Sequence, residues 1–213
     1  MIKPLSGLRK EYLSSSLDEK SVNPDPLKQF SRWFKDAIQA EIEEPNAMVL
    51  STSDPDGNVS GRVVLLKSVQ KNGFVFFTNY DSRKGIQLAS NPKAALTFLW
   101  YVIERQIRVE GSVAKISRKE SETYFNSRPA DSRISACVSP QSCIIPDRSF
   151  LESMREGFLL DLNGQPPQCP DYWGGYLLKP TLIEFWQGRV HRLHDRLQYR
   201  RSGNKWILER LAP

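Results

Sequence analysis

The chain has 213 residues, a formal net charge of +6 and a hydrophobic fraction of 39%, enough apolar surface to bury a core and to exclude wholesale disorder. No apolar run approaches the ~20 residues that span a bilayer, and the opening MIKPLSGLRKEY lacks a signal peptide's apolar region, so no membrane partner and a cytoplasmic location are expected. A basic balance suits nucleic acid or small phosphorylated ligands; here the lysines and arginines are spread in ones and twos among apolar segments, which points to several small anion sites and not to a nucleic-acid track.

Residues 1–24 are polar and carry the serine run 14–16, so a mobile arm is expected. Asp25-Pro26 reads as a helix N-cap followed by proline at the first helical position. Leu27, Phe30, Trp33, Phe34, Ala37 and Ile38 then recur at helical spacing and predict an amphipathic helix over 26–41. From 47 the pattern turns to strands. AMVLSTS (47–53), the turn DPDGN and VSGRVVLLKSV (59–69) form a predicted hairpin, and QKNG turns the chain into FVFFTN (74–79). A short helix over 82–92 precedes strands at 94–101 and 106–117. Residues 118–158 read as helical, and a Pro/Gly loop leads into final strands at 173–180, 182–188, 196–201 and 205–211. Tight turns between neighbouring strands imply an antiparallel sheet that curls into a barrel, a mainly β fold with flanking helices in one domain over 25–213.

Cys137, Cys143 and Cys169 are odd in number, with no CxxC pair and no nearby histidine. They argue against a disulfide framework and a zinc site, and fit a reducing compartment. Three polar clusters interrupt the apolar pattern. In RVVLLK, Arg62 and Lys67 flank an apolar core, and their odd separation puts them on opposite faces of a regular strand, which implies two anions or a bend. In TNYDSRKG, Ser82 caps a helix whose first turn carries Arg83 and Lys84, and cations there call for an anion. In YFNSRPADS, Tyr124, Arg128 and Ser132 recur every four residues; they share a face if helical, although Pro129 equally permits a turn between two helices. The window EFWQGRVHRLHDR holds both histidines, His191 and His194. Read as a strand, it aligns Arg192, His194 and Arg196 on one side, where they repel one another unless an anionic or electron-rich ligand lies across them. No serine, cysteine or paired carboxylate is set for nucleophilic or glycosidic chemistry, so a redox step would need an organic cofactor.

Taken in order, RVVLLK, FFTNYDSRKG, ERQIRVEG, YFNSRPADS, VSPQS, WGGY, EFWQGRVHRLHDR and the terminal ERLAP resemble the pyridoxine/pyridoxamine 5'-phosphate oxidase family, over about Leu8 to Pro213. The resemblance implies a homodimeric antiparallel split β-barrel with FMN at the subunit interface. It implies oxidation of pyridoxine 5'-phosphate or pyridoxamine 5'-phosphate to pyridoxal 5'-phosphate, with O2 as acceptor, H2O2 as by-product and ammonia released from the amine. On matching positions, Arg62, Val63, Val64, Leu65, Leu66, Lys67, Phe77, Thr78, Arg83, Lys84, Gln106, Gln141, Ser142, Trp186 and Arg196 would hold FMN. Lys67, Tyr124, Arg128 and Ser132 would bind the substrate phosphate. Arg192 and His194 would lie over the substrate ring as the catalytic pair, and Arg9 and Tyr12 of the arm would form a lid.

Overall fold

The structure is a computed structural model in which residues 11–12 and 15–213 are described. The first helix, α1 (Pro26–Gln39), starts as expected. Asp25 is extended, its carboxylate accepts from the Leu27 N–H at 2.9 Å, and Pro26 occupies the first turn, where no N–H is needed. Its apolar stripe buries Phe30, Trp33 and Ala37.

Strands β1 (Ala47–Ser53) and β2 (Val59–Leu65) follow, joined by a turn in which Gly57 takes φ +84° and Asp54 accepts from the Asn58 N–H. The single strand expected over 59–69 is two. β2 ends at Leu65 and the chain resumes as β3 (Ser68–Gln70), which pairs with β4 (Gly73–Asn79). Between them the Lys67 N–H donates to the Val75 carbonyl at 2.9 Å, so the chain has already changed partners at Lys67. Next come α2 (Arg83–Ser90), capped by Ser82, β5 (Lys93–Trp100) and β6 (Arg105–Lys115). α3 (Arg118–Ser127) opens on a capping box between Ser117 and Glu120, and α4 (Ala130–Val138) and α5 (Arg148–Leu162) follow.

The two strands expected over 173–188 are one, β7 (Trp173–Gln187). Trp173 to Leu178 pair with β4, and Leu182 to Gln187 pair with β8 (Asp195–Ser202). Pro180 falls between those stretches, where neither ladder needs its missing N–H. β9 (Lys205–Leu211) pairs with β8. The strand order is β2-β1-β5-β6-β7-β4-β3, with β8 and β9 branching from β7. Mostly antiparallel strands with five helices among the described residues match the expected fold class.

Two compact units emerge. One comprises the described residues up to Leu50 with Ala95–Gly111 and Pro180–Pro213, the other Ser51–Ala94 with Ser112–Lys179. The first has an aromatic core. Phe30 meets Phe98 edge-on at 5.1 Å, Trp33 meets Phe185 at 5.1 Å, and Phe185 meets Tyr199 at 5.7 Å. In the second, Phe77 stacks on Tyr124 and Trp173, and Phe125 meets Trp173 edge-on. Phe30 is fully enclosed, so Phe30→Ala is expected to cost about 3–5 kcal/mol, read as a lower urea midpoint with an unchanged slope.

Candidate active site

The second unit contains a cavity of about 640 Å³. Its walls carry four cations, Arg62, Lys67, Lys84 and Arg128, and no carboxylate. The break at Leu66–Lys67 resolves the odd spacing of RVVLLK, because it lets Arg62 and Lys67 line the same cavity. Pro129 does break the helix, so the turn reading of YFNSRPADS holds. Arg128 ends α3, Pro129 caps α4, and Tyr124, Arg128 and Ser132 still converge on the cavity.

Neutral oxygens hold these cations in place. The Arg62 guanidinium donates to Thr52 Oγ1 at 2.8 Å and Ser60 Oγ at 2.6 Å, and both hydroxyls donate to Gln87 Oε1. Gln87, buried in α2, thereby turns the hydroxyl lone pairs toward Arg62. Lys84 Nζ donates to Gln141 Oε1 at 2.9 Å, Thr78 Oγ1 at 3.1 Å and Ser82 Oγ at 3.3 Å. Burial first, and then the neighbouring Arg62 charge, pulls the Lys84 pKa down to about 8. Burial likewise lowers Arg62 and Arg128. The Arg128 guanidinium lies 4.8 Å above the Trp173 ring, and its Nη1 is buried without a hydrogen-bond partner among the described residues. A buried guanidinium N–H left unpaired is costly.

Other residues from the first two motifs fall differently. Val63, Val64, Leu65, Phe77 and Thr78 line the cavity with Gln141. Leu66 is buried in the core, while Arg83 and the left-handed Ser142 (φ +73°) are exposed and outside the lining.

The first unit carries the remaining candidates. Tyr12 packs edge-on against Trp186 at 5.6 Å and His194 at 5.5 Å, and Trp186 and His194 lie 4.7 Å apart. His194 Nδ1 accepts from the Arg189 N–H at 3.2 Å, so the neutral ring carries its proton on Nε2. Burial and the Arg192 charge both lower its pKa and favour that neutral form. The strand expected through Arg192, His194 and Arg196 does not form. Val190–Arg192 is a 3-10 turn with His191 and Arg192 at φ +56° and +61°, and β8 begins only at Asp195. Alternation is lost, and the Arg196 guanidinium pairs with Glu184 at 2.7 Å. Gln106 lies on the face of β6 opposite the buried Ile107 and Val109. Arg9 is outside the described residues. All three cysteines are free, and no cluster suited to a metal occurs among the described residues. Nor is any helix among them long and apolar enough to cross a membrane.

Sequence reasoning passed over Gln87 and Glu184. Glu184, a lone carboxylate in the apolar run LIEFW, was the available signal, since a buried charge demands a partner.

Compared with known proteins, the chain matches two solved structures along most of its length. PhzG from Burkholderia lata 383, in complex with tetrahydrophenazine-1-carboxylic acid, superimposes with a TM-score of 0.87 at 30% identity, covering 92% of this chain and 98% of that one. A pyridoxamine 5'-phosphate oxidase-related, FMN-binding protein of Nostoc punctiforme shares the fold at 18% identity and a TM-score of 0.70, over 91% and 99% of the two chains. The fold is therefore a split β-barrel. The family described as pyridoxamine 5'-phosphate oxidase matches residues 34–157, and the pyridoxine 5'-phosphate oxidase C-terminal dimerisation region matches residues 173–213. Pyridoxine/pyridoxamine 5'-phosphate oxidases of Cyanothece sp. and Paraburkholderia phymatum are each 53% identical over 98% of this chain, and over 98% and 99% of their own lengths. The chain belongs to the pyridoxine/pyridoxamine 5'-phosphate oxidase family.

The lowered pKa of Lys84 has a measurable sign. Below pH 8 the ammonium is already charged; above it, binding an anion requires taking up a proton. Affinity of the ligand-free protein for inorganic phosphate, followed by calorimetry, should fall as pH rises from 8 toward 10, approaching about tenfold per unit. Lys84→Gln should bind more weakly at pH 7 and show a flat profile across that range.

Proposed function

We propose that this chain oxidises pyridoxine 5'-phosphate or pyridoxamine 5'-phosphate to pyridoxal 5'-phosphate, using FMN as cofactor and O2 as the final acceptor. The observation that supports it most is the cavity lined by four cations and no carboxylate. Two phosphates, one on the cofactor and one on the substrate, suit that donor set. The reading draws also on relatives named pyridoxine/pyridoxamine 5'-phosphate oxidase along nearly the full length. The matched C-terminal dimerisation region supports a homodimer.

FMN, when bound, would supply the two-electron acceptor chemistry for oxidation at C4' of the substrate, with O2 as the final acceptor and H2O2 as the by-product. The protein's part is orientation and charge. Arg62 and Lys84 hold the cofactor phosphate, with Arg83 beside them and the backbone of Val63 to Leu66 along the cofactor. Phe77, Thr78, Gln141 and Ser142 complete that side. Lys67, Tyr124, Arg128 and Ser132 grip the substrate phosphate, the charged members by charge-assisted hydrogen bonds. Gln106, Trp186 and Arg196 are the remaining residues assigned to the flavin. Arg192 and His194 lie over the substrate ring, where His194 offers its Nε2 proton as a donor. Tyr12, packed on Trp186 and His194, excludes water from that group.

Without oxygen, the visible flavin band of the FMN-loaded protein should bleach on addition of pyridoxamine 5'-phosphate. A spectrum unchanged by both phosphorylated vitamers would overturn the oxidase reading. Arg128→Ala should raise KM for the phosphorylated substrate roughly 10- to 100-fold, the worth of a charged hydrogen bond. Reduction by unphosphorylated pyridoxamine should be unaffected by that substitution, which separates phosphate recognition from general damage.

A further inference from the structure

We infer that Glu184 and the main-chain carbonyl of Ala212 are positioning groups for Arg196, so that one buried carboxylate and the C-terminal segment together aim the guanidinium that meets the flavin. The inference rests on the function proposed above. Arg196 sits on β8, directly opposite Trp186 of β7 on one side and Leu211 of β9 on the other. Its Nε donates to Glu184 Oε1 at 2.7 Å, and its Nη1 donates to the Ala212 carbonyl at 2.8 Å. A guanidinium is planar, so bonds at Nε and Nη1 fix both its plane and its rotation within that plane. Nη2 has no partner among the described residues. It is the donor this clamp leaves for a ligand.

Glu184 is placed for this task and for little else. It pairs in register with Gln198 and lies diagonal to Arg196, within reach of a long side chain. It shares the face of β7 that carries Trp186, opposite the buried Ile183 and Phe185. At 3% exposure it is a buried carboxylate, which is retained only when fully matched. Its second oxygen accepts from Arg108 Nη1 at 3.2 Å, and Arg108 Nη2 pairs with Glu110 at 2.6 Å. Arg108 is thus occupied by two carboxylates, whereas Arg196 shares only one and keeps a free edge. The network immobilises Arg196 without exhausting its donors. Apolar packing alone would be served by an apolar residue in the run LIEFW.

The test is a titration of FMN into the ligand-free protein, followed by quenching of flavin fluorescence, for the wild type, E184Q, R196Q, the E184Q/R196Q double variant and R196K. The thermal midpoint of each ligand-free protein is measured alongside. E184Q and R196Q should each weaken FMN binding about tenfold, and the double variant should bind no more weakly than R196Q, because Glu184 acts through Arg196. R196K keeps the charge but cannot make both anchoring bonds, so it should lose as much affinity as R196Q. Wild-type affinity in E184Q while R196Q is weakened would overturn the positioning role alone; so would losses that add in the double variant. Wild-type affinity in R196Q would remove Arg196 from the flavin site, and the inference with it. Should E184Q fail to fold, R196K decides: full affinity there shows that charge suffices and orientation does not matter.

Discussion

Four cations around one cavity with no carboxylate among them is the constraint on which the second unit is built. Like charges gathered on one wall repel one another, so such a wall opposes folding unless an anion balances it. The first unit shows the contrast. There Arg105 meets Asp36, Arg108 meets Glu110 and Glu184, Arg196 meets Glu184, and Arg210 meets Asp195 and Glu19. Its charges are largely paired with carboxylates, whereas the lining of the cavity contains none.

Uncharged acceptors hold the cavity's cations in place. Gln87 supplies them for Arg62 through the Thr52 and Ser60 hydroxyls, and Gln141, Thr78 and Ser82 supply them for Lys84. Each hydrogen bond fixes direction while leaving the electrostatic potential in place. The stack of Phe77, Tyr124 and Trp173 provides the rigid wall against which Arg128 is set. Aromatic packing and neutral hydrogen bonds thus supply the stability that the charges withdraw, as expected of a preorganised site.

The segment between β7 and β8 meets a different demand, a close approach of chain to ring. Gly188 is seated against Tyr12, and a Cβ there would come within 2.7 Å of the ring. The turn that follows puts His191 and Arg192 into left-handed backbone, which is uncommon for residues other than glycine and is concentrated at functional sites. That turn brings His194 round to the Arg189 N–H and against Trp186 and Tyr12.

Periodicity and turn chemistry made most of the elements legible from sequence, because they are local. Asp25-Pro26 set the start of α1, Asp56-Gly57 lay in the β1–β2 turn, and Ser82 set the cap of α2. The motifs also identified the family, since long ordered strings such as RVVLLK and EFWQGRVHRLHDR carry far more information than composition. What sequence did not determine depends on partners distant in the chain. The break after Leu65 follows from the Lys67 N–H donating to the Val75 carbonyl, and the merging of 173–187 into one strand follows from β4 and β8 taking successive halves of it. The loss of alternation at 192–196 follows from positive φ angles that no local pattern announces. Matching Arg196 to Glu184 needed two strands in register, and only the tertiary structure, by setting that register, decided which cations meet carboxylates and which line the cavity.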